Sequence, residues 1–150
     1  MNITHDGDAF FVACGMERRA VRMYERMRDL IKNDLILETL NELLKDEREH
    51  LVIFNSFLNE SEAVSSHMPL LDAQADGILF AGGLTEAVRS GAVESRKALI
   101  DYAIEQEKIA IETYESFAKK CNSKAAQAFL QVADEEKRHL ESLQNMREQE

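Results

Sequence analysis

Four glutamates and two histidines carry the chemistry that this sequence can do. Glu47 and His50 stand three apart in "DEREHL" (46–51), and Glu136 and His139 stand three apart in "EEKRHL" (135–140). A spacing of three puts both side chains on one helix face. Charged helices produce E-x-x-H by chance, so a single copy means little. Here it sits inside a larger repeat. "ERRAVRMYE" (17–25) aligns with "EKIAIETYE" (107–115), with Glu, Ala, Tyr and Glu at matching offsets. The matched segments are shifted by 90 and 89 residues, so two long units correspond.

The spacing within each unit brings its glutamates level. Glu17 and Glu47 are 30 residues apart around a turn near residue 32, and Glu107 and Glu136 are 29 apart around a turn near 121. Each glutamate therefore lies about 15 residues, or roughly 22 Å of helix, from its turn. All four fall on apolar stripes: Glu17 between Cys14 and Val21, Glu47 between Leu44 and Leu51, Glu107 between Ile104 and Ile111, and Glu136 between Ala133 and Leu140. Four carboxylates converging in a core would repel, and burying each would cost several kcal/mol. Multivalent cations remove that cost. One Glu from each of two helices plus Glu-x-x-His from each of the other two is a di-metal carboxylate arrangement. Oxygen-rich ligands with one imidazole per metal suit iron or manganese better than a thiolate-seeking metal.

The elements that position these residues are four helical segments. The first turns Phe10, Ala13, Cys14, Val21, Tyr24, Met27 and Ile31 inward and sets Arg18, Arg19, Arg22, Arg26 and Asp29 opposite. The second buries Ile36, Leu40, Leu43, Leu44, Leu51, Phe54 and Leu58. The third buries Ile100, Ala103, Ile104, Ala110, Ile111, Tyr114 and Ala118. The fourth buries Phe129, Val132, Ala133, Leu140, Leu143 and Met146. Short turns at "KND" (32–34) and "CNS" (121–123) make antiparallel hairpins. The hairpins are expected over 8–58 and 96–147, within one domain spanning 1–150. The connection over 59–95 holds the only proline and four of the six glycines. It is too long for a tight turn and suits a crossover along the bundle, with a short helix at "LTEAVRS" (84–90). The fold class is all-α: a ferritin-like antiparallel four-helix bundle with a long crossover between helices 2 and 3.

Composition agrees. The 150 residues are rich in helix formers and carry a net charge of −10, which argues against nucleic acid or an anionic membrane as a partner. Cys14 and Cys121 form no C-x-x-C pair, which excludes zinc ribbons and rubredoxin-type iron sites. "MNITHDGDAF" is too acidic for a signal peptide, and no apolar run reaches membrane-spanning length. A cytoplasmic location is the expectation.

Other residues divide more plainly. Tyr24 and Tyr114 each lie seven residues after a glutamate on the same face. They read either as core aromatics with a satisfied hydroxyl or as hydrogen-bond donors to ligand carboxylates, and their symmetric placement favours the second. Asp46 and Glu135 could orient a histidine four residues on, but their position before an inward residue favours solvent. Cys14 reads as a small core residue. His5 and His67 have no partner pattern and receive no role.

On Glu17 with Ala20 and Tyr24, Glu47 with His50, Glu107 with Ala110 and Tyr114, and Glu136 with His139, the chain resembles the rubrerythrin branch of the ferritin-like superfamily, over roughly residues 8–60 and 95–146. The resemblance implies that Glu17, Glu47 and His50 bind one side of a diiron centre and Glu107, Glu136 and His139 the other, with one or two bridging glutamates. It implies two iron ions per bundle, zinc or manganese being the alternatives. It also implies a homodimer or larger homo-oligomer, in which some relatives exchange the crossover between protomers. Two departures stand out. The four cysteines of a rubredoxin-like domain are missing, so reducing electrons come from an external donor. The extra glutamate one turn from the third-helix ligand is also missing: Glu107 has Ala103, Ile104, Ala110 and Ile111 as one-turn neighbours.

The expected function is a non-haem diiron oxidoreductase, a peroxidase or ferroxidase that oxidises Fe(II) with hydrogen peroxide or dioxygen in oxidative-stress defence or iron handling. The alternative is a metal-binding four-helix module, an iron carrier or zinc-stabilised assembly protein without turnover. Oxygenase chemistry on an organic substrate ranks third, because 150 residues leave little room for a substrate channel.

Overall fold

Why these segments become helices is visible at their ends. The computed structural model describes residues 3–61 and 68–149. The Asn33 side chain accepts hydrogen bonds from the Leu35 and Ile36 amides and so starts α2, Asp34–Glu60, three residues after α1, Asp6–Leu30, has ended. Ser95 caps α5, Arg96–Ala118, and Asn122 caps α6, Ser123–Glu148. Each cap satisfies amides that the first helical turn leaves without partners. The chain folds as an all-α, ferritin-like helical bundle in which α1 pairs with α2 and α5 with α6. Among the described residues no helix is long and apolar enough to cross a membrane.

One layer of aromatic rings joins the hairpins. Phe10 of α1 stacks on Phe129 of α6 at 4.8 Å, and Phe54 of α2 packs on Tyr114 of α5 at 5.0 Å. Phe117 meets Phe129 edge-on at 5.5 Å. Every helix of the bundle thus contributes a ring, and burying each one removes a large apolar area from water. The layer closes the bundle on the Phe54 side of His50, one turn along α2.

The crossover is more ordered than its composition suggests. The short helix expected at 84–90 is α4, Gly83–Arg89. A second helix, α3, Met68–Ile78, was not expected. Its proline is tolerated because Pro69 falls in the first turn, where a missing N–H costs nothing. Leu71 and Ala75, four apart, bury one α3 face, and α3 packs along α1. The approach is close at Gly15: a Cβ there would lie 2.9 Å from the Ala75 Cβ. His67 lies outside the described residues.

The turn after α3 bears on the site. Phe80 has φ +53° and is the only non-glycine residue with positive φ among those described. The Arg19 guanidinium donates to the Leu79 and Phe80 carbonyls at 2.9 and 3.1 Å, and the Phe80 N–H donates to Gln106 Oε1 at 2.7 Å. Arg19 therefore does not lie on a free outer face, as its place opposite the apolar stripe suggested. The crossover covers that side of α1.

Candidate metal centre

The four glutamates expected to converge are all buried, at 6 % exposure or less, although each sits on a helix whose opposite face is wet. The ligand atoms of Glu17, Glu47, His50 and Glu136 lie within 4.8 Å of one another, and so do those of His50, Glu136 and His139. The two groups share His50 and Glu136. Glu107 stands outside both and lines a small cavity together with Glu47, Glu136 and Tyr24. Both groups draw side chains from both hairpins. The hairpins face each other, so Glu136 of α6 lies against His50 of α2: Nδ1 and Oε1 are 2.6 Å apart.

The histidine rings present two different edges. His50 Nε2 lies 3.4 Å from Glu135 Oε2, and His139 Nε2 lies 3.4 Å from Asp46 Oδ2. Each outer nitrogen faces the carboxylate that precedes the ligand glutamate of the other hairpin. The inner nitrogens, His50 Nδ1 and His139 Nδ1, are buried with no hydrogen bond. A carboxylate on one ring nitrogen fixes the proton there and leaves the other nitrogen's lone pair free, the state that binds a metal. Asp46 and Glu135 are about 30 % exposed, so the expectation that they face solvent is corrected. The crossing was the missing information. Each acid was weighed against the histidine of its own helix, whereas the antiparallel packing brings it to the other one. The matched acids before Glu47 and Glu136 were the signal in the sequence.

The tyrosines break the twofold pattern. Tyr114 Oη donates to Glu17 Oε1 at 2.6 Å, across the bundle. Tyr24 meets Phe80 edge-on at 5.2 Å and lines the small cavity. It makes no hydrogen bond to a cluster carboxylate among the described residues. Burial pushes both phenols well above their ordinary value, with Glu17 and Glu47 adding to the rise for Tyr114, and Glu47 and Tyr102 for Tyr24. Both stay protonated.

Do these residues fit metal ions? Glu17 Oε2, Glu107 Oε2, Glu136 Oε1, His50 Nδ1 and His139 Nδ1 are buried without a hydrogen bond. A buried polar atom left unpaired costs about 1–3 kcal/mol, and these five belong to five of the six expected ligands. Without an ion, charge is relieved by protons instead. Burial, then the Glu47 charge, raises the Glu17 carboxyl well above its usual range. The same two causes lift Glu136 to about 7, with His50 opposing. Burial disfavours the His50 imidazolium, but the Glu136 carboxylate and the charges of Glu47 and Glu135 outweigh it and raise His50 to about 9. A site that pushes Glu17 and Glu136 toward their protonated forms when alone, and that leaves His139 Nδ1 buried without a hydrogen bond, is suited to cations. The donor set of carboxylate oxygens with two imidazoles suits iron, manganese or zinc.

Fold and site together define a ferritin-like helical bundle with a buried carboxylate and histidine cluster that fits a diiron site. The family model described as Rubrerythrin matches residues 8–146. The chain belongs to the rubrerythrin family. No curated protein and no solved structure matches it.

Proposed function

We propose that this chain is a non-haem diiron oxidoreductase that oxidises Fe(II) with hydrogen peroxide or dioxygen. The observation that supports it is the set of five buried donor atoms from Glu17, Glu107, Glu136, His50 and His139 that make no hydrogen bond of good geometry, two of which, His50 Nδ1 and Glu136 Oε1, face each other at 2.6 Å. Glu17, Glu47, His50, Glu136 and His139, whose ligand atoms cluster, together with Glu107 beside them, would hold two iron ions. Bound iron would supply one electron per ion. Reduction of peroxide then balances as H2O2 + 2 e⁻ + 2 H⁺ → 2 H2O, and an external one-electron donor returns the two electrons. The chain's own residues orient and exclude. Asp46 and Glu135 hold the imidazoles, Tyr114 holds one oxygen of Glu17, and the aromatic layer keeps water from one end. The homo-oligomeric state and cytoplasmic location stay part of this proposal.

A second reading, an iron carrier or metal-stabilised module without turnover, is supported by the surroundings of Glu107. Ala103, Ile104, Ala110 and Ile111 are all buried and apolar, so no further carboxylate stands one turn away to receive a shifting ion. One experiment separates the two. The metal-free protein is loaded anaerobically with Fe(II) and mixed with H2O2 or O2 while near-UV absorbance is followed. A rapid ferric band with two irons per chain supports the oxidoreductase. Tight zinc retention with no such band supports the module. Glu47→Ala should lose the two-iron stoichiometry, and full loading in that variant would refute the ligand assignment.

A further inference from the structure

We propose that Phe80 is a size filter on the crossover, restricting the cluster to oxidants of peroxide or dioxygen size. This rests on the oxidoreductase reading above. The cavity beside the cluster is about 10 Å³ and is lined by Glu47, Glu107, Glu136, Tyr24, Leu79 and Phe80, among others. That volume is about what one water molecule requires. All six of these residues are buried; four stand on the long helices, and Leu79 and Phe80 of the crossover complete the wall.

Phe80 is held in that wall against its own backbone preference. A positive φ on a bulky residue is strained and persists only where the surroundings over-determine it. Here they do. Arg19, two residues after Glu17, and Gln106, next to Glu107, grip the Leu79 and Phe80 backbone from both sides. The Gly83 amide adds a fourth bond, to the Phe80 carbonyl, at 2.9 Å. Gly82 and Gly83, beyond Ala81, also have positive φ, and a glycine at position 80 would relax the turn. What a glycine would lose is the ring. That ring sits edge-on to Tyr24 and 5.8 Å from Tyr102, and Phe80 lines the cavity together with Glu107, whose Oε2 has no hydrogen bond. The strained backbone and the clamp thus share one product, an aromatic residue in the wall of a water-sized cavity that three carboxylates also line.

The test compares oxidants of different girth. Anaerobic ferrous protein is mixed with H2O2 or with cumene hydroperoxide, and ferric absorbance is followed. The wild-type rate for H2O2 should exceed that for cumene hydroperoxide by more than about 100-fold. Phe80→Ala should shrink the ratio at least about tenfold by accelerating the bulky peroxide. Phe80→Leu, which keeps an apolar plug, is the second variant where Phe80→Ala does not fold, and should shrink it less. A wild type oxidised equally fast by both peroxides overturns the filter, as does an unchanged ratio in a folded variant. A second readout needs no turnover. Xenon-pressurised crystals of the metal-free protein should show xenon in place of the ring in Phe80→Ala and none there in wild type. If neither peroxide oxidises the ferrous protein, the functional reading fails. Xenon then still decides the plug: none in Phe80→Ala means that Phe80 does not close this space.

Discussion

His50 Nδ1 of α2 lies 2.6 Å from Glu136 Oε1 of α6, and neither atom has a hydrogen bond of good geometry. The two side chains come from different hairpins and are among the most buried polar groups described. An imidazole and a carboxylate this close either share a proton or share a cation, and pH separates the two states.

The metal-free protein should lose stability as pH rises. Glu136 is raised from 4.5 to about 7, so its contribution is full below about 4.5 and lost as pH climbs through about 7. His50 is raised from 6.5 to about 9, so its contribution is full below about 6.5 and lost as pH climbs through about 9. Both signs agree. Thermal unfolding of metal-free protein should show Tm falling by roughly 4–8 °C between about pH 5 and about pH 9, from a loss of about 2 kcal/mol. The loaded protein should move the other way, since metal affinity grows as the ligands shed protons. A metal-free Tm that rises over this window would contradict the shared burial of the pair.

The crossed carboxylates make a separate prediction. Asp46→Asn removes the charge beside His139 Nε2, and Glu135→Gln removes the one beside His50 Nε2. Each should weaken metal binding by roughly 10–100-fold, because the imidazole loses its fixed tautomer and part of its basicity. Metal competition titrations measure this. The metal-free Tm of Asp46→Asn should stay within about 2 °C of wild type, because burial raises the Asp46 carboxyl and its charge adds little to the fold. Unchanged affinity in both variants would mean that these acids only face solvent.

Much of this arrangement was legible beforehand, and the reason is periodicity. Glu17, Glu47, Glu107 and Glu136 sit on apolar stripes at equal distances from their turns, so helix geometry alone brings them level and inward. The bundle and its crossover follow from the same pattern. What stayed hidden depended on contacts between elements. Neither Tyr114 bonding Glu17 rather than a residue of its own hairpin, nor Asp46 reaching His139, follows from spacing along one helix. Arg19 read as a solvent-facing charge because nothing in α1 shows that Leu79 and Phe80 will lie over it. α3 was obscured by "MPLLDAQADGI", where a proline and a glycine lie at the ends of a helix rather than in its middle.

Neither thiol should take part in peroxide chemistry. Burial raises Cys14 to about 11, with Arg18 opposing. Burial and then the Asp6 charge raise Cys121 to about 12. At about pH 8 the thiolate fraction of each is on the order of one in a thousand or less, and the thiolate is the nucleophile. Native protein should therefore leave both cysteines unmodified by iodoacetamide under conditions that label a free thiol fully, while the unfolded chain takes up two labels. Fast native labelling at Cys121, the more exposed of the two, would show that the Asp6 contact does not suppress it.

Gly15 supplies a test of the crossover's seat. In an ordinary helix interior, glycine to alanine gains about 1 kcal/mol, so Gly15→Ala should stabilise α1 if nothing opposed it. Here the added Cβ would stand 2.9 Å from the Ala75 Cβ, a methyl with no flexible stem to swing aside. Overpacking of this kind costs typically 1–3 kcal/mol, enough to reverse the gain. Gly15→Ala is expected to lower Tm by roughly 2–4 °C, and the loss should come from displacing α3 rather than from α1. Ala75→Gly removes the opposing methyl and places a glycine in α3, so alone it should destabilise by about 1 kcal/mol. The double variant decides the mechanism. It exchanges the methyl from one helix to the other without the clash, so it should be more stable than the sum of the single losses allows, by at least about 1 kcal/mol of coupling. Additive losses would show that Gly15 and Ala75 do not set the distance between α1 and α3.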